Sequence, residues 1–443
     1  MQEDPRLAPA LASSARTGVQ LIGLRVAAYG AGFVASVVIA RTLGPGGRGL
    51  YVLPLAILGI VMTLSTFGVE HAQVHLAGRG ASLRTLWGNG TAIGLGGSLV
   101  MWGVIAVAFA ATGDALHEGI PVAWIWLGLA QLPLMLQILY WSNILQLSGR
   151  VRVGVLAGLA AIVAQALAIV ALALGDALTP LGVLLLSGAS TVVTWSILLL
   201  VGVRTGLAAV SIDRVLLRRA LTFGLRAQVG IVFVFLLLRV DQLFVQRLLG
   251  FEELGVYSLA VMLAEVLWLV SDPFAAAVLP HQLSAGGEDD VRLGFATARL
   301  GLLATTIVAT LAWVVSPWAI RLIYGPDFAG AVWAFRWLLP GVVALAVFRP
   351  LAGVLLKRGR PGIMALCGAG ALVLNVAGDL ILIPRVGIAG ASVASAGAYV
   401  GIAAAYVSIT AGKGVAGVRD LVPGRADARM LVLALRSAPR KAR

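Results

Sequence analysis

The sequence predicts an all-α polytopic membrane protein, with twelve spanning helices forming two pseudo-symmetric six-helix bundles. Three observations carry that expectation. Of 443 residues, 60% are apolar and 12% are charged, with a mean hydropathy of +0.98; a soluble domain has about 45–50% apolar and about 25% charged residues. The apolar residues fall into twelve blocks, each long enough for the about 20 residues a membrane helix needs. A turn pattern of thirteen residues recurs 206 positions later in the chain.

The blocks run over 18–40, 50–69, 88–111, 121–146, 153–175, 180–203, 224–246, 255–279, 298–320, 329–356, 361–383 and 386–409. The first is too long for the core of a signal peptide and a second span follows at once, so it is expected to be retained as a helix. The seventh and tenth carry charges. The gaps are too short for a separate soluble domain. The predicted organisation is a tail over 1–17, a bundle over 18–203, a linker over 204–220, a second bundle over 221–410 and a basic tail over 411–443. With twelve spans the loops alternate sides. One side collects 23 Lys and Arg residues and the other 5, which places both termini in the cytoplasm by the positive-inside rule. Within that basic side, 212–221 interleaves Arg214, Arg218 and Arg219 with Val215, Leu216 and Leu217, and 429–436 encloses a run of apolar residues. Both suit helices lying on anionic headgroups, and both equally suit charges that only set topology.

The same numbers exclude function classes. So large an apolar surplus cannot be hidden from water, which removes a soluble enzyme, a disordered chain and a secreted disulfide scaffold. The single cysteine, Cys367, permits neither an internal disulfide nor a Cys-based metal cluster. The net charge of +14 sits in short loops and tails, so no nucleic-acid partner is expected.

The repeated turn reads R-x-L-G-x-x-x-x-G-[LV]-Y-x-L. It holds Arg41, Gly44, Gly49 and Tyr51 at its first occurrence and Arg247, Gly250, Gly255 and Tyr257 at its second, with six identical positions. A weaker echo joins Gly149-Arg150 to Gly359-Arg360. The glycines are expected to allow tight turns and the tyrosines to anchor at the interface. Two halves of six spans each are parallel repeats, an arrangement found in secondary transporters, where the space between halves is the default binding site. Pro54, Pro133, Pro273, Pro340 and Pro350 lie in or near spans and are expected to bend helices.

The segment 39–56 resembles the first-hairpin signature of polysaccharide (O-antigen type) flippases, and so does 238–243 leading into 249–260. These proteins belong to the multidrug/oligosaccharidyl-lipid/polysaccharide exporter superfamily. The resemblance is sharp in those two hairpins and covers the rest of the chain in span number and repeat. It implies a flippase of the bacterial inner membrane, not an enzyme, that moves polyprenyl-diphosphate-linked glycans to the outer leaflet. Its implied partners are the lipid-linked glycan, membrane lipids and polysaccharide assembly proteins. It implies no cofactor beyond a coupling H+ or Na+. A drug antiporter or a peptidoglycan-precursor flippase of the same superfamily remains the alternative. A membrane-embedded sugar ligase or polymerase would need a long outer loop bearing a catalytic residue, and the outer loops here are short. Segment 68–84 lacks the basic-acidic signature of the major facilitator carriers.

Charges within spans are costly and mark a cavity or one another. Arg25, Arg226, Arg239 and Arg336 are candidates to hold the diphosphate, because guanidinium makes paired hydrogen bonds to phosphate and stays charged. Asp241, Glu265, Asp272 and Asp379 are candidates for coupling or for ion pairs. Arg239 lies about 12 Å below the end of the seventh span and Glu265 about 15 Å down the eighth, so they can meet; Arg226 and Asp272 share the inner third. Gln228, Arg239, Gln242 and Gln246 share a face of the seventh span, with Asp241 pointing the other way. Arg349 precedes Pro350 near a cytoplasmic end and is expected to snorkel. His71 and His75, spaced for a metal, lack an evident third ligand, and no metal site is predicted. Trp124, Trp126, Tyr140 and Trp141 are candidates to stack on sugars.

Overall fold

The computed structural model describes residues 7–112, 119–208, 211–284, 289–411, 417–422 and 424. The described helices are α1 (Leu7–Ser65), α2 (Val69–Gly78), α3 (Leu83–Thr112), α4 (Val122–Leu129), α5 (Leu132–Leu147), α6 (Val151–Leu174), α7 (Pro180–Arg204), α8 (Arg214–Leu237), α9 (Val240–Leu249), α10 (Phe251–Val266), α11 (Trp268–Ser284), α12 (Asp289–Tyr324), α13 (Ala331–Lys357), α14 (Pro361–Val386) and α15 (Ile388–Ala411). Among the described residues, eleven segments are long and apolar enough to cross a membrane. The first of them, Val26–Gly78, doubles back at Gly44 and counts twice, which gives the twelve predicted spans.

Gly44 adopts φ 65°, ψ −174°, and Gly250, 206 residues later, adopts φ 91°, ψ −174°. This backbone region is essentially closed to residues with a Cβ. Pro45 follows Gly44 inside α1, at the first position of the outgoing helix, where a missing N–H costs nothing. The weaker echo repeats too. Gly149 and Gly359 have φ 79° and 63°, and the next residues, Arg150 and Arg360, cap α6 and α14 at φ/ψ of −101°/36° and −109°/50°. The internal repeat is therefore written into backbone angles as well as letters.

The chain divides into two compact units, Met1–Gln228 and Val229–Arg443. The division falls inside α8, not in the stretch 204–220. The segment 212–221 is not a separate surface helix, because from Arg214 it forms the first turns of α8. Asp213 starts that helix by accepting from the N–H groups of Val215 and Leu216 at 2.8 and 3.0 Å. The side chain of Asn89 grips the Asp213 backbone N–H and C=O at 3.0 Å each, so the segment is held on α3. The segment 429–436 lies outside the described residues. Helix α1 already begins at Leu7, within the predicted tail.

Three spans read as continuous are broken. The fourth parts at Ala130–Gln131, with Pro133 in the first turn of α5; the seventh parts at Leu238–Arg239; the eighth parts at Leu267. Both hairpin tyrosines are buried, with Tyr51 8% and Tyr257 0% exposed. Tyr51 packs with Ile39, Ile169 and Val183 in the core of the N-terminal unit. They are core residues, not interface anchors.

In the C-terminal unit, α13 and α14 pack along α15. A Cβ on Gly378 would lie 2.7 Å from that of Ala394, and one on Gly390 2.5 Å from the Leu382 backbone. The absence of side chains lets α14 and α15 touch, which sets the polar groups described below side by side. Gly44→Ala and Gly250→Ala should each cost about 1–3 kcal/mol and lower the thermal midpoint of the purified protein by several degrees. Gly46→Ala, where an added Cβ meets nothing within 4 Å, should leave it unchanged; equal midpoints for all three would contradict the account.

Candidate functional site

Arg239, Asp241, Glu265, Asp272, Arg349 and Asp379 of the C-terminal unit lie on α9, α10, α11, α13 and α14 or at the break before α9. Arg239 sits at the break between α8 and α9, where φ −134° takes it out of the helix. Its guanidinium crosses to α10 and grips Glu265 with two prongs, Nη1–Oε1 2.5 Å and Nη2–Oε2 3.1 Å. The depth argument brought these two together correctly. The single-face reading of the seventh span fails, because the break at Arg239 separates Gln228 from Gln242.

Asp272 pairs with Arg349 of α13 at 2.5 Å. The guanidinium of Arg349, expected to snorkel, lies 5.8 Å over the Trp268 ring. The side chains of Arg239 and Glu265 are 27% and 23% exposed and those of Arg349 and Asp272 are 45% and 36% exposed. A charged group at bilayer depth costs at least about 2.5–3.5 kcal/mol against lipid. The open sides of these pairs therefore require water or polar matter.

Beside Arg239 lies a buried acidic centre. Asp241 Oδ2 accepts from the Tyr257 and Ser395 hydroxyls, and Oδ1 accepts from the Gln242 N–H at 2.8 Å. Asn375 Nδ2 donates to Ser395 Oγ at 3.2 Å. Asp379, one turn further along α14, is 0% exposed, and among the described residues neither carboxyl oxygen finds a donor; Asn375 Oδ1 is likewise unmatched. Asp379 lies near enough to Asp241 for their charges to repel. A buried carboxyl with two orphan oxygens beside a second carboxyl is stable when it carries a proton or holds a cation. Among the described residues no three His, Cys, Asp or Glu side chains cluster. The donor set here is carboxylate, amide and hydroxyl oxygen, which suits a hard cation or a proton.

Asp241 and Asp379 were legible as embedded acids. Asn375, Ser395 and the Tyr257 hydroxyl were missed. The i, i+4 spacing of Asn375 and Asp379 on one helix face was the available signal.

Arg336, expected to hold the diphosphate, also has a structural task. Pro317 lies inside α12 and has no N–H, so the carbonyl four residues earlier, on Trp313, loses its helical donor. Arg336 supplies it: Nε and Nη2 donate to Trp313 O at 3.0 and 2.9 Å. The guanidinium is stacked 4.0 Å over the Trp313 ring and 5.3 Å from that of Trp333.

Arg226 is exposed on α8, and Arg25 lies on α1 with its side chain outside those described. Arg41 and Arg247 are exposed at the two bends, and Gly49 and Gly255 are buried. In the N-terminal unit, Tyr140 and Trp141 are buried and bonded to Thr66 O and Thr91 Oγ1, so they are not free to stack on a sugar. His75 stacks on Phe223 at 4.5 Å. That unit also has an uncharged concavity of about 350 Å³, lined by Met62, Met135, Ser142, Ser190, Thr191 and Thr194.

Arg336→Ala should lower thermal stability by about 1–3 kcal/mol through the unmatched carbonyl. Transport per folded molecule should stay within about twofold, since 0.4 kcal/mol or less separates such rates. A transport loss without a stability loss would return Arg336 to the substrate path.

Comparisons with known proteins give the family and the fold. Residues 15–282 match the family described as Polysaccharide biosynthesis protein. No curated relative matches the sequence. Among solved structures, the lipid II flippase MurJ in an inward closed conformation superposes with a TM-score of 0.68 at 11% identity, covering 96% of this chain and 94% of that one. An inward-facing multidrug resistance MATE family transporter of the MOP superfamily gives 0.64 at 16%, covering 92% and 95%. The Vibrio cholerae MATE transporter VcmN in its bent form gives 0.59 at 13%, covering 91% and 97%. The family match spans more than half of the chain, so this protein belongs to the polysaccharide biosynthesis protein family, and its fold is the one shared by the MOP-superfamily MATE transporter and the MurJ flippase on which it superposes.

Proposed function

We propose that the protein is a flippase that carries polyprenyl-diphosphate-linked oligosaccharide from the cytoplasmic to the outer leaflet of a bacterial inner membrane, by alternating access driven by H+ or Na+. The observation that carries this reading is one juxtaposition in the C-terminal unit. A partly open arginine–carboxylate pair, Arg239–Glu265, stands two residues along the chain from Asp241 of the buried acidic centre. Arginine is the side chain best matched to a diphosphate. The centre of Asp241 and Asp379 is the natural seat of the coupling ion. A change in its charge bears on α9, and therefore on the break that aims Arg239.

Two further facts support the reading. The family is described by polysaccharide biosynthesis, and one of the similar structures is a lipid II flippase, a protein named for a lipid-borne substrate. The uncharged concavity of the N-terminal unit, with methionine and hydroxyl walls, suits the apolar faces and hydroxyls of a sugar. The assembly proteins of the polysaccharide would receive the product at the outer leaflet. The competing reading is drug antiport, which the MATE structures share as a fold; an arginine in the path argues against the cationic drugs such a site would need to hold.

The test is reconstitution in vesicles with a fluorescent polyprenyl-diphosphate oligosaccharide. Leaflet crossing should accelerate with an inward H+ or Na+ gradient. Arg239→Ala and Asp379→Asn should each slow it by about tenfold or more, the worth of one charge-assisted contact; the Arg25→Ala variant should do the same if that side chain also meets the diphosphate. Crossing that ignores the gradient and both C-terminal variants, or efflux of a cationic dye in its place, would overturn the proposal.

A further inference from the structure

We propose that Arg349 and Asp272 form a second anion station, nearer the end of the unit that bears Lys357, Arg358 and Arg360, where a lipid diphosphate displaces the Asp272 carboxylate before reaching Arg239. The inference rests on the flippase reading and deepens it.

Glu265 lies in the last turn of α10 and Asp272 in the first turns of α11, and Leu267 between them keeps helical angles of φ −66° and ψ −20°, so the two fall on about one face and about 10 Å apart along the axis. Each is held by an arginine from a different element: Arg239 at the α8–α9 break and Arg349 on α13. Arg349 stands eight residues before Lys357, about 12 Å from that end. Exposure rises from the inner pair to the outer one, as it would along a path that opens toward Lys357.

The pair is not built as a lock. The same unit contains a lock for comparison. Asp290 is buried, and both its oxygens are held by Arg358, at 3.1 and 3.3 Å, with the Val291 N–H donating to Oδ1 as well. Asp272, by contrast, meets Arg349 through Oδ2 alone, and its Oδ1 has no donor among the described residues. The indole N–H of Trp268, under the Arg349 guanidinium, is also without an acceptor. Both unmatched atoms are buried, so they gain partners only when the pair opens. The Trp268 face keeps the guanidinium in place by cation–π attraction when its carboxylate leaves. A diphosphate offers more charge and more acceptor oxygens than one carboxylate, so it takes over a single-oxygen contact more easily than a two-pronged one. Asp272 is thus a placeholder that neutralises Arg349 between substrates.

The test measures binding of a short-chain polyprenyl diphosphate to the full-length protein in nanodiscs, with inorganic diphosphate and phosphatidylglycerol as competing probes. Removing the placeholder by Asp272→Asn should tighten binding by about fivefold, and Arg349→Gln should weaken it by about tenfold, magnitudes set by one charged hydrogen bond. Arg349→Lys, which keeps the charge and the fold, should recover part of the loss. Competition by inorganic diphosphate supports a headgroup site. Equal competition by phosphatidylglycerol makes the station an ordinary phospholipid site and overturns the proposal. Unchanged affinity in Asp272→Asn and Arg349→Gln, with wild-type binding intact, makes the pair structural and also overturns it. Absence of binding by the wild type would instead sink the flippase reading, and this station with it.

Discussion

A charge placed within hydrocarbon has to be matched by an opposite charge, by hydrogen-bond acceptors or by water, and the C-terminal unit is organised by how it meets that demand. Arg336 is spent on a backbone carbonyl that Pro317 leaves open. Arg358, just past the end of α13, is held by both oxygens of a buried carboxylate. Arg239 and Arg349 are neutralised but not sealed, and Asp379 is sealed but not neutralised by any side chain within hydrogen-bonding reach. The first two solutions hold structure together. The last two leave capacity for an anion and for a cation, which is what an ion-coupled carrier of a diphosphate requires.

The backbone puts these groups where they are. The break at Arg239 turns one residue toward α10 while Asp241, in the first turn of α9, stays buried against α10 and α15. The glycine contacts between α14 and α15 bring Asn375 to Ser395, and hence to Asp241. The hairpin before α10 depends on Gly250, whose angles only glycine holds without strain, and Gly44 provides the same bend in the other unit. Fold and site therefore share parts: the α9–α10 hairpin carries Asp241 and Tyr257 on its two arms.

Much of this was legible in the sequence, because span number and repeat are set by composition and by local backbone demands. The Arg239–Glu265 pair was legible because depth along two adjacent spans is fixed by helical rise. What escaped depended on which helices touch. Arg336 looked like a phosphate ligand until α12 was seen beside it, although Pro317 already announced an orphan carbonyl at Trp313. Arg349 looked like a snorkelling residue because its partner, Asp272, is 77 positions away in sequence. Tyr257 looked like an interface anchor because position near a loop does not reveal burial. The breaks at 130–131 and 267 escaped because hydropathy continues across them.

The central claim is that the charged face of α10 and α11 is wet. Leu269 lies between Glu265 and Asp272 on that face and is 42% exposed, while Val373, in the middle of α14, is 70% exposed. With Cys367 replaced by Ala, the most direct measurement is the reaction rate of Leu269→Cys and Val373→Cys with a membrane-impermeant maleimide in lipid vesicles. The account predicts rapid labelling at 269, slowed by polyprenyl diphosphate, and little at 373. Labelling at 269 as slow as at 373 would mean that the ion pairs face acyl chains, and would contradict it.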